Sequence, residues 1–226
     1  SCLGYATKIM NVFLLIGIGG LSLASFPVIS SVIAKRDYNR LREMNHRAFS
    51  TIFFITVSIY VVVFFYGNEF LSLLFQYGSF TAEDSRNVAH VLRFLGGFFV
   101  FGALGTFVSI LFYAIPDTRT PTLVGIGGFV LGVGLKIILS SFLSYNGIAL
   151  ASSIYYGITV LTMILFLRRR PEPFIHFRRL LNEFIRTMVV GLLVFILVYA
   201  VNPALGEHPV KLLLKLLATI GMLLGL

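Results

Sequence analysis

Three cations inside long apolar stretches are the residues best placed to do chemistry in this sequence. Lys8, Arg93 and Lys136 each lie within a run of largely uncharged side chains, and Asn11 follows Lys8 by about one helical turn. A Lys or Arg at the centre of a membrane span costs about 2.5–3.5 kcal/mol to insert, so it persists where it faces protein or water, or where it snorkels to the interface. No Asp or Glu lies deep in these runs. If the cations converge, they form an electropositive pocket that suits an anionic ligand.

Each cation also has a simpler structural explanation. Lys8 can anchor its helix at the outer interface, and the long side chains of Arg93 and Lys136 can snorkel outward. The functional interpretation is best supported for Lys136, because small and polar residues share its helical face at about 100° per residue. These residues are Thr122, Gly125, Gly132 and Ser140.

Metal binding and enzymatic catalysis find little support in the sequence. The four histidines, His46, His90, His176 and His208, are far apart, and Cys2 is the single cysteine. We find no zinc-protease, serine-hydrolase or nucleotide-binding motif. We therefore expect a protein that is not an enzyme, with no catalytic residue, no metal site and no cofactor.

The composition predicts an integral membrane protein. Of the 226 residues, 58% are hydrophobic and only 12% are charged, whereas a soluble domain is about one quarter charged. Seven stretches approach or exceed the roughly 20 apolar residues that a spanning helix needs: 9–34, 49–67, 87–115, 121–143, 147–167, 184–202 and 209–226. The runs are continuous rather than alternating, which favours helices over barrel strands. The predicted fold class is an all-α, polytopic transmembrane helix bundle of about seven spans.

The gaps between the spans predict their orientation, because Lys and Arg concentrate in alternate gaps. Twelve of the 18 Lys and Arg residues belong to the regions of the first, third and fifth gaps, at 34–47, 115–121 and 168–184, with Arg186 counted just after the fifth gap. The second, fourth and sixth gaps, at 76–86, 144–147 and 202–209, hold only Arg86. By the positive-inside rule, the first, third and fifth gaps are cytoplasmic. The net charge of +9 therefore reflects membrane topology, and we expect no nucleic-acid partner.

Glycine and proline predict two local features of the spans. Gly128 and Gly132 form a GxxxG pattern, and such small residues let two helix backbones approach closely. Pro27 lies inside the first span and is expected to kink it. The chain begins at Ser1 and ends within an apolar run, so we expect it to be part of a longer protein.

Two loop sequences carry a resemblance to a known family. The strings FQYGSFTAEDS (75–85) and FYAIPDTRTP (112–121) resemble loop signatures of the MurJ (MviN) lipid II flippases, within the multidrug/oligosaccharidyl-lipid/polysaccharide exporter superfamily. The strings at 4–12, 26–43 and 146–154 also fit the family, so the resemblance covers nearly the whole chain.

The resemblance implies a domain organisation in which the seven spans are helices eight to fourteen of fourteen. Residues 1–168 would then hold five helices of the C-terminal lobe of a two-lobed transporter. Residues 169–226 would hold a basic cytoplasmic loop and two additional transmembrane helices. The N-terminal lobe of the same protein would be the partner of this chain.

The resemblance also implies a function in the bacterial plasma membrane. The family moves an undecaprenyl-pyrophosphate-linked peptidoglycan precursor, lipid II, from the inner to the outer leaflet by alternating access. The partners implied are this anionic lipid-linked substrate and membrane lipids. Lys8 falls where the family often has an Arg, Thr7 where an acidic residue commonly precedes it, and Lys136 where a neutral amide is common. These departures leave room for a rearranged site or a different substrate.

The residues of the matched loops have two interpretations. Asp117, Arg119 and Pro121 either form a turn and helix cap or make a gating contact between lobes. Phe80 and Asp84 either cap the third span or take part in the same gating. Both sets are expected to be structural or gating residues rather than ligands of the substrate.

The mechanism predicted from these features separates the polar head of the substrate from its apolar tail. The cations Lys8, Arg93 and Lys136, with Asn11, would bind the pyrophosphate, and the apolar sixth and seventh spans would border an opening for the tail. Three alternatives remain: a flippase for another lipid-linked oligosaccharide, a membrane-embedded transferase and a non-transporting scaffold. The lack of acidic or His clusters argues against the transferase.

Overall fold

The computed structural model describes residues 2–15, 20–75, 81–170 and 174–201 of the chain. These residues form α-helices joined by short turns, in the order α1 (Cys2–Leu14), α2 (Gly20–Ala34), α3 (Tyr38–Phe75), α4 (Ala82–Phe94), α5 (Gly96–Ala114), α6 (Arg119–Arg168) and α7 (Phe177–Val201). The predicted all-α fold class is confirmed. The predicted span 209–226 lies outside the described residues.

Three helices of the described residues are long and apolar enough to cross a membrane, judged by length and composition. They are Tyr38–Leu73, Gly96–Ala114 and Arg119–Arg168. The predicted first span corresponds to α1 and α2, and the third span corresponds to α4 and α5, which meet at Leu95. Pro27 lies within α2.

Helix α6 is a helical hairpin, and its two arms are the predicted fourth and fifth spans. Ser144 has φ 51° and ψ −133°, which interrupts the helix, so we call 119–143 the first arm and 145–168 the second arm. A Cβ added to Gly128 would lie 2.3 Å from Thr159 Oγ1, and one added to Gly132 would lie 2.8 Å from the Tyr155 ring. Gly132 follows Gly128 by four residues, whereas its neighbour Tyr155 precedes Thr159 by four, so the two arms run antiparallel. The predicted packing role of this glycine pair is confirmed.

Two apolar clusters hold the described helices together. One cluster joins α2, α3, α5, the second arm of α6 and α7, and its largest fully buried side chains include Phe107 and Phe112. The other joins α1 and α4 to α3 and α5 around Phe99. Helices α3 and α5 each contribute to both clusters and therefore connect them. The first arm of α6, by contrast, exposes most of its apolar side chains, with Phe142 at 82%.

The segments predicted to be cytoplasmic meet at one end of the bundle. Arg170 forms an ion pair with Asp117, which joins the fifth gap to the third. The buried Asn45 side chain donates a hydrogen bond to the Phe174 carbonyl at 3.0 Å, which joins the first gap to the fifth. Two gaps can share one end of the bundle only if an even number of spans separates them. Two predicted spans separate the first gap from the third, and two separate the third from the fifth, so these contacts agree with the predicted spans.

At the opposite end of the bundle, the described residues include the turn at 144–147, which is predicted to be extracytoplasmic. His90, at the start of the third span, and Asn146, in the fourth gap, place their side chains 3.3 Å apart. This contact joins α4 to the turn of the α6 hairpin. The alternation predicted from the Lys and Arg pattern therefore agrees with the way the gaps pair in space. The domain boundary near residue 168 stays a prediction, because α7 packs directly on α3.

Candidate functional site

An apolar groove lies between four elements of the described residues. It has a volume of about 550 Å³, within the usual size range of ligand pockets. Four elements form its walls: α3, α5, the second arm of α6 and α7. Ile158 and Leu161, on the second arm, line the groove and are 44% and 52% exposed. The groove therefore opens laterally, toward the surroundings of the bundle.

The groove has one polar end, close to the predicted cytoplasmic side. The Ser50 hydroxyl donates to Glu183 Oε2 at 3.5 Å, and both residues line the groove. Arg186 Nη1 lies 3.8 Å from Glu183 Oε1. The remaining lining is almost entirely aliphatic and aromatic. A carboxylate at the mouth disfavours an anion there, so the groove is suited to an uncharged apolar chain.

Lys8 and Asn11 lie on the face of α1 that points away from the bundle. Both side chains are exposed, whereas Ala6 and Met10 on the opposite face are buried against α4 and α5. Thr7 donates its hydroxyl to the Leu3 carbonyl of the same helix at 2.8 Å. The structure thus brings Lys8 and Asn11 together on one accessible surface.

Lys136 is half-buried between the arms of α6. Its ammonium lies 5.3 Å from the centre of the Tyr155 ring, above its face. Cation–π contacts of this kind contribute about 0.5–2 kcal/mol. Tyr155 is in turn 4.7 Å from the Tyr156 ring, centre to centre, and Tyr156 packs on Phe98 of α5. The lysine is therefore held by aromatic rings rather than by a carboxylate.

Arg93 is oriented toward a different part of the bundle. Its Nε donates to the Phe64 carbonyl of α3 at 3.2 Å, and its guanidinium lies 5.2 Å from the Phe64 ring centre. Phe64 packs on Phe195 of α7. Arg93 thus contacts the α3–α7 side, whereas Lys136 contacts the α6 hairpin and Lys8 projects from α1. Convergence of the three cations at one ligand stays a prediction.

The cytoplasmic loop motif is organised by Asp117. Its Oδ1 accepts from the Thr120 backbone N–H at 3.0 Å and its Oδ2 from the Thr120 hydroxyl at 2.7 Å, while Arg170 pairs with the same carboxylate. Pro121 is buried and Arg119 is exposed. Asp117 therefore caps the start of α6 and also ties it to the segment before α7.

The other loop motif forms a capping box at the start of α4. The Thr81 hydroxyl accepts from the Asp84 backbone N–H, and the Asp84 carboxylate accepts from the Thr81 backbone N–H at 2.9 Å. The hydrogen bonds that the Thr81 backbone N–H and, second, the Thr81 hydroxyl donate to this carboxylate hold the pKa of Asp84 below its usual value. The capping interpretation of Asp84 is confirmed. Phe80 lies outside the described residues.

Sequence reasoning missed the groove and the residues at its two ends. Glu183 follows a basic loop, and Gly97 and Ser153 lie inside apolar spans. The signals available were the Gly96–Gly97 pair within a predicted span and a carboxylate at the start of the sixth span. Neither identifies a groove without knowing which helices are neighbours. Among the described residues, there is no group of three or more His, Cys, Asp or Glu side chains that could hold a metal ion.

Comparison with known proteins identifies one consistent group of relatives. A family model described as lipid II flippase MurJ matches residues 1–219. The probable lipid II flippase MurJ of Thermotoga maritima is 26% identical over 151 residues, covering 66% of this chain and 31% of that protein. The protein of the same name from Rhizobium meliloti is 27% identical over 154 residues, covering 67% of this chain and 28% of that protein.

A solved structure of lipid II flippase MurJ in an inward closed conformation has a similar fold. Its TM-score is 0.72 at 22% identity, and the match covers 99% of this chain and 44% of the solved chain. The chain therefore spans about a third of the length of the curated relatives and less than half of the solved structure.

Proposed function

Because this chain belongs to the lipid II flippase MurJ family, we propose that it is part of a transporter that moves lipid II from the inner to the outer leaflet of the bacterial plasma membrane. The chain spans only part of the relatives' length, so the rest of the same protein is the proposed partner that completes the transport path. The observation that carries the proposal is the family match over residues 1–219. The proposed role is that of a membrane transporter rather than an enzyme.

The apolar groove is the proposed binding site for the polyprenyl tail. Moving a disaccharide pyrophosphate through hydrocarbon is prohibitive, because each unpaired polar group costs several kcal/mol. The transporter therefore needs a polar path for the head and a separate lateral path for the tail. The groove opens laterally through Ile158 and Leu161, and its almost entirely apolar walls offer dispersion contacts to such a chain.

The proposed site for the anionic head is the accessible face of α1 with Lys136. Lys8 and Asn11 share the exposed face of α1, and the Lys136 ammonium lies over the Tyr155 ring rather than beside a carboxylate. An ammonium near a pyrophosphate supplies a point charge and hydrogen-bond donors. Arg93 stays the predicted third cation, from the α3 side of α4.

The membrane potential gives the transport its direction. With the cell interior negative, moving one negative charge outward releases about 2.3 kcal/mol per 100 mV. A pyrophosphate with two negative charges therefore gains about twice this amount, and transport needs no nucleotide hydrolysis. The Asp117–Arg170 ion pair, which ties α6 to the segment before α7, is the proposed gating contact at the cytoplasmic end.

A flipping assay tests the head site. The whole protein that contains this chain is reconstituted in liposomes with fluorescent lipid II, and the rate at which lipid II becomes accessible to an outside reagent is measured. We expect Lys8→Ala and Lys136→Ala each to lower the rate at least tenfold, while Lys35→Ala, an exposed lysine of the first gap, leaves it unchanged. Unchanged rates in both test variants would overturn the head site.

The same assay tests the groove with a matched pair of substitutions on one helix. Leu161→Trp fills the groove with a bulky ring, whereas Leu165→Trp places the same ring one turn away, at an exposed residue outside the lining. We expect the first variant to lose most of the transport rate and the second to keep it. Equal rates in the two variants would remove the groove from the transport path.

A related substrate is the second candidate, and one specific observation favours it. Thr7 and Lys8 stand where the resemblance implies an acidic residue and an Arg, and Thr7 is bonded within its own helix. A single ammonium recognises phosphate without the planar fork of Arg, so a lipid-linked oligosaccharide with a different head is compatible. Complementation of a bacterial strain depleted of its lipid II flippase separates the two candidates: growth supports lipid II, and lack of growth with normal expression supports the other substrate.

A further inference from the structure

The path from α4 to α5 contains a break at which side-chain hydroxyls serve as hydrogen-bond partners of three backbone groups, the Arg93 and Phe94 carbonyls and the Phe98 N–H. In a continuous helix the Phe98 N–H would donate to the Phe94 carbonyl. Here the Ser153 hydroxyl stands between them: it accepts from the Phe98 N–H at 3.0 Å and donates to the Phe94 carbonyl at 2.6 Å. In the preceding rung, the Arg93 carbonyl accepts from the Tyr60 hydroxyl at 2.6 Å. Insertion of a side chain into the ladder is a known cause of helix kinks.

Two glycines make room for the inserted hydroxyls. A Cβ added to Gly96 would lie 2.2 Å from the Tyr60 ring, and one added to Gly97 would lie 2.7 Å from Ser153 Cβ. A larger residue at Gly96 would therefore displace the Tyr60 ring, and a larger residue at Gly97 would push the second arm of α6 away from the break. The four residues come from three distant parts of the chain: the two glycines leave the space, and Tyr60 and Ser153 supply the hydroxyl donors.

The break lies at one end of the apolar groove. Gly97 and Ser153 both line the groove, whereas Ile164 lines it about 16 Å away along the same arm, at 1.5 Å per residue. A chain that occupies the whole length of the groove therefore reaches the hydroxyl that holds the break open. This contact connects the contents of the groove with the shape of the α4–α5 path.

We propose that the α4–α5 break is a hinge and that Ser153 is the positioning residue that couples it to the groove. The inference rests on the proposed function, which supplies an apolar polyprenyl chain as the occupant. An apolar chain over Ser153 excludes water, and the hydroxyl then has the Phe94 and Phe98 backbone groups as its partners. Occupation of the groove therefore holds the path bent.

The hinge has two discrete states because intermediate geometries leave backbone groups unpaired. With Ser153 inserted, the Phe94 carbonyl and the Phe98 N–H are both satisfied. With Ser153 withdrawn, the two groups can bond each other and straighten the helix. Between these states each group lacks a partner at membrane depth, at a cost of several kcal/mol. A small movement in the groove is thereby converted into a change between two helix shapes.

Distances between spin labels on the two sides of the break test the hinge. Native cysteines, Cys2 in this chain, are replaced by Ser in the whole protein, and labels are attached at two exposed positions, Arg86 on α4 and Tyr113 on α5. Pulsed electron paramagnetic resonance in nanodiscs then gives the distance distribution with and without undecaprenyl phosphate. We expect this lipid to narrow the distribution at the short, bent distance.

The Ser153→Ala variant is expected to show a longer mean distance and to lose the response to undecaprenyl phosphate. The matched control is Ser152→Ala, because Ser152 donates to the Ile148 carbonyl of its own helix at 3.0 Å. We expect this control to behave as the wild type. A Ser153→Ala distribution identical to that of the wild type, with and without the lipid, would overturn the proposal.

A chain-length comparison in the wild type decides the matter if Ser153→Ala does not fold. Geranyl phosphate carries the same phosphate on a chain too short to run the length of the groove, and we expect it to leave the distribution unchanged. Equal responses to the two lipids, or no response to either, would contradict the coupling. Undecaprenyl phosphate lacks the disaccharide head, so a failure of lipid II transport leaves this result intact, and a missing distance response leaves the transport result intact.

Discussion

Two long helical paths change direction in this chain, and the surroundings of each bend explain how its backbone is satisfied. The α6 hairpin turns at Ser144, an exposed residue at the end of the bundle, with φ 51°. The α4–α5 path bends at Leu95, a buried residue with φ −86° and ψ 2°. The exposed turn leaves its polar groups to the solvent and headgroup region. The buried bend receives hydroxyls from Tyr60 and Ser153 instead.

The difference shows which hydrogen-bond partners a membrane protein must provide when a helix bends inside the hydrocarbon region. At the surface, water completes the hydrogen bonds that a turn leaves open. Inside the hydrocarbon region the protein itself must supply a partner for every freed group. A bend that takes its partners from two other helices is also a bend whose shape those helices control. This is why the α4–α5 bend, and not the α6 turn, is suited to transmit a change in the groove.

The largest effect is expected from Gly147→Ala, which tests how tightly the exposed turn is closed. A Cβ at this position would lie 2.1 Å from the Leu139 carbonyl oxygen, a backbone atom that has little freedom to move. The two arms of α6 must separate, so we expect a loss of about 3 kcal/mol or more in the free energy of unfolding. Unfolding by SDS titration in mixed micelles measures this loss.

Gly134→Ala is the control for Gly147→Ala. It lies on the first arm of the same hairpin, with no atom within 4 Å of an added Cβ. Ala is favoured over Gly in a helix by about 0.8–1.0 kcal/mol, so this variant should be neutral or more stable. Equal losses in the two variants would show that the arms are not held together at Gly147.

Much of the fold follows from patterns that act over short distances along the chain. Continuous apolar runs predict the spans, and the alternation of basic and acidic gaps predicts which gaps share an end. Both predictions agree with the contacts between Asp117 and Arg170 and between His90 and Asn146. The hairpin packing also follows from a local signal, since Gly128 and Gly132 mark the face that approaches the second arm.

The α4–α5 bend could not be predicted from the same patterns. The span 87–115 reads as one apolar run without a proline, and the groups that stabilise its bend are Tyr60 and Ser153, 35 residues before and 58 after Leu95. The contacts of the candidate site residues could not be predicted for the same reason. Spacing places Lys8 and Lys136 in outer halves of spans, but only packing decides that Lys136 contacts Tyr155. Helix neighbours are long-range information that a single sequence does not carry.

Tyr60→Phe measures how much the buried bend depends on its second hydroxyl. The variant keeps the ring that packs on Gly96 but leaves the Arg93 carbonyl without its hydrogen-bond donor. We expect the free energy of unfolding to fall by about 1 kcal/mol, the usual contribution of one hydrogen bond. Tyr113→Phe, at an exposed position of α5, is the control and should change it little. No difference between the variants would mean that solvent, rather than Tyr60, satisfies the bend.

Ser144→Gly examines the opposite property at the exposed turn. A φ of 51° with ψ of −133° is unfavourable for any residue with a side chain and favourable for glycine. Because the Ser144 side chain makes no hydrogen bond within the turn, we expect the variant to be more stable by about 0.5–1 kcal/mol. A clear loss of stability would show that the Ser144 side chain contributes to the turn, and would weaken the contrast with Ser153.

The smallest expected effect is a local change in amide hydrogen exchange at the start of α4. The surface end of this helix is capped by a charged group, whereas the backbone at its buried end is satisfied by neutral hydroxyls. Asp84 accepts hydrogen bonds from Thr81, and this lowers the pKa of its carboxyl in the folded protein. A lowered folded pKa means that the stabilising contribution is present above the unfolded pKa, about 3.9, and is lost as the pH falls through the folded value.

We expect amide hydrogen exchange in the first turn of α4 to accelerate in this acidic range in the wild type, after correction for the intrinsic pH dependence. In Asp84→Asn this acceleration should be absent, while amides near Phe98 should show no such pH effect in either protein. An acidic acceleration near Phe98 would show that a charged group, and not the hydroxyls of Tyr60 and Ser153, stabilises the buried bend.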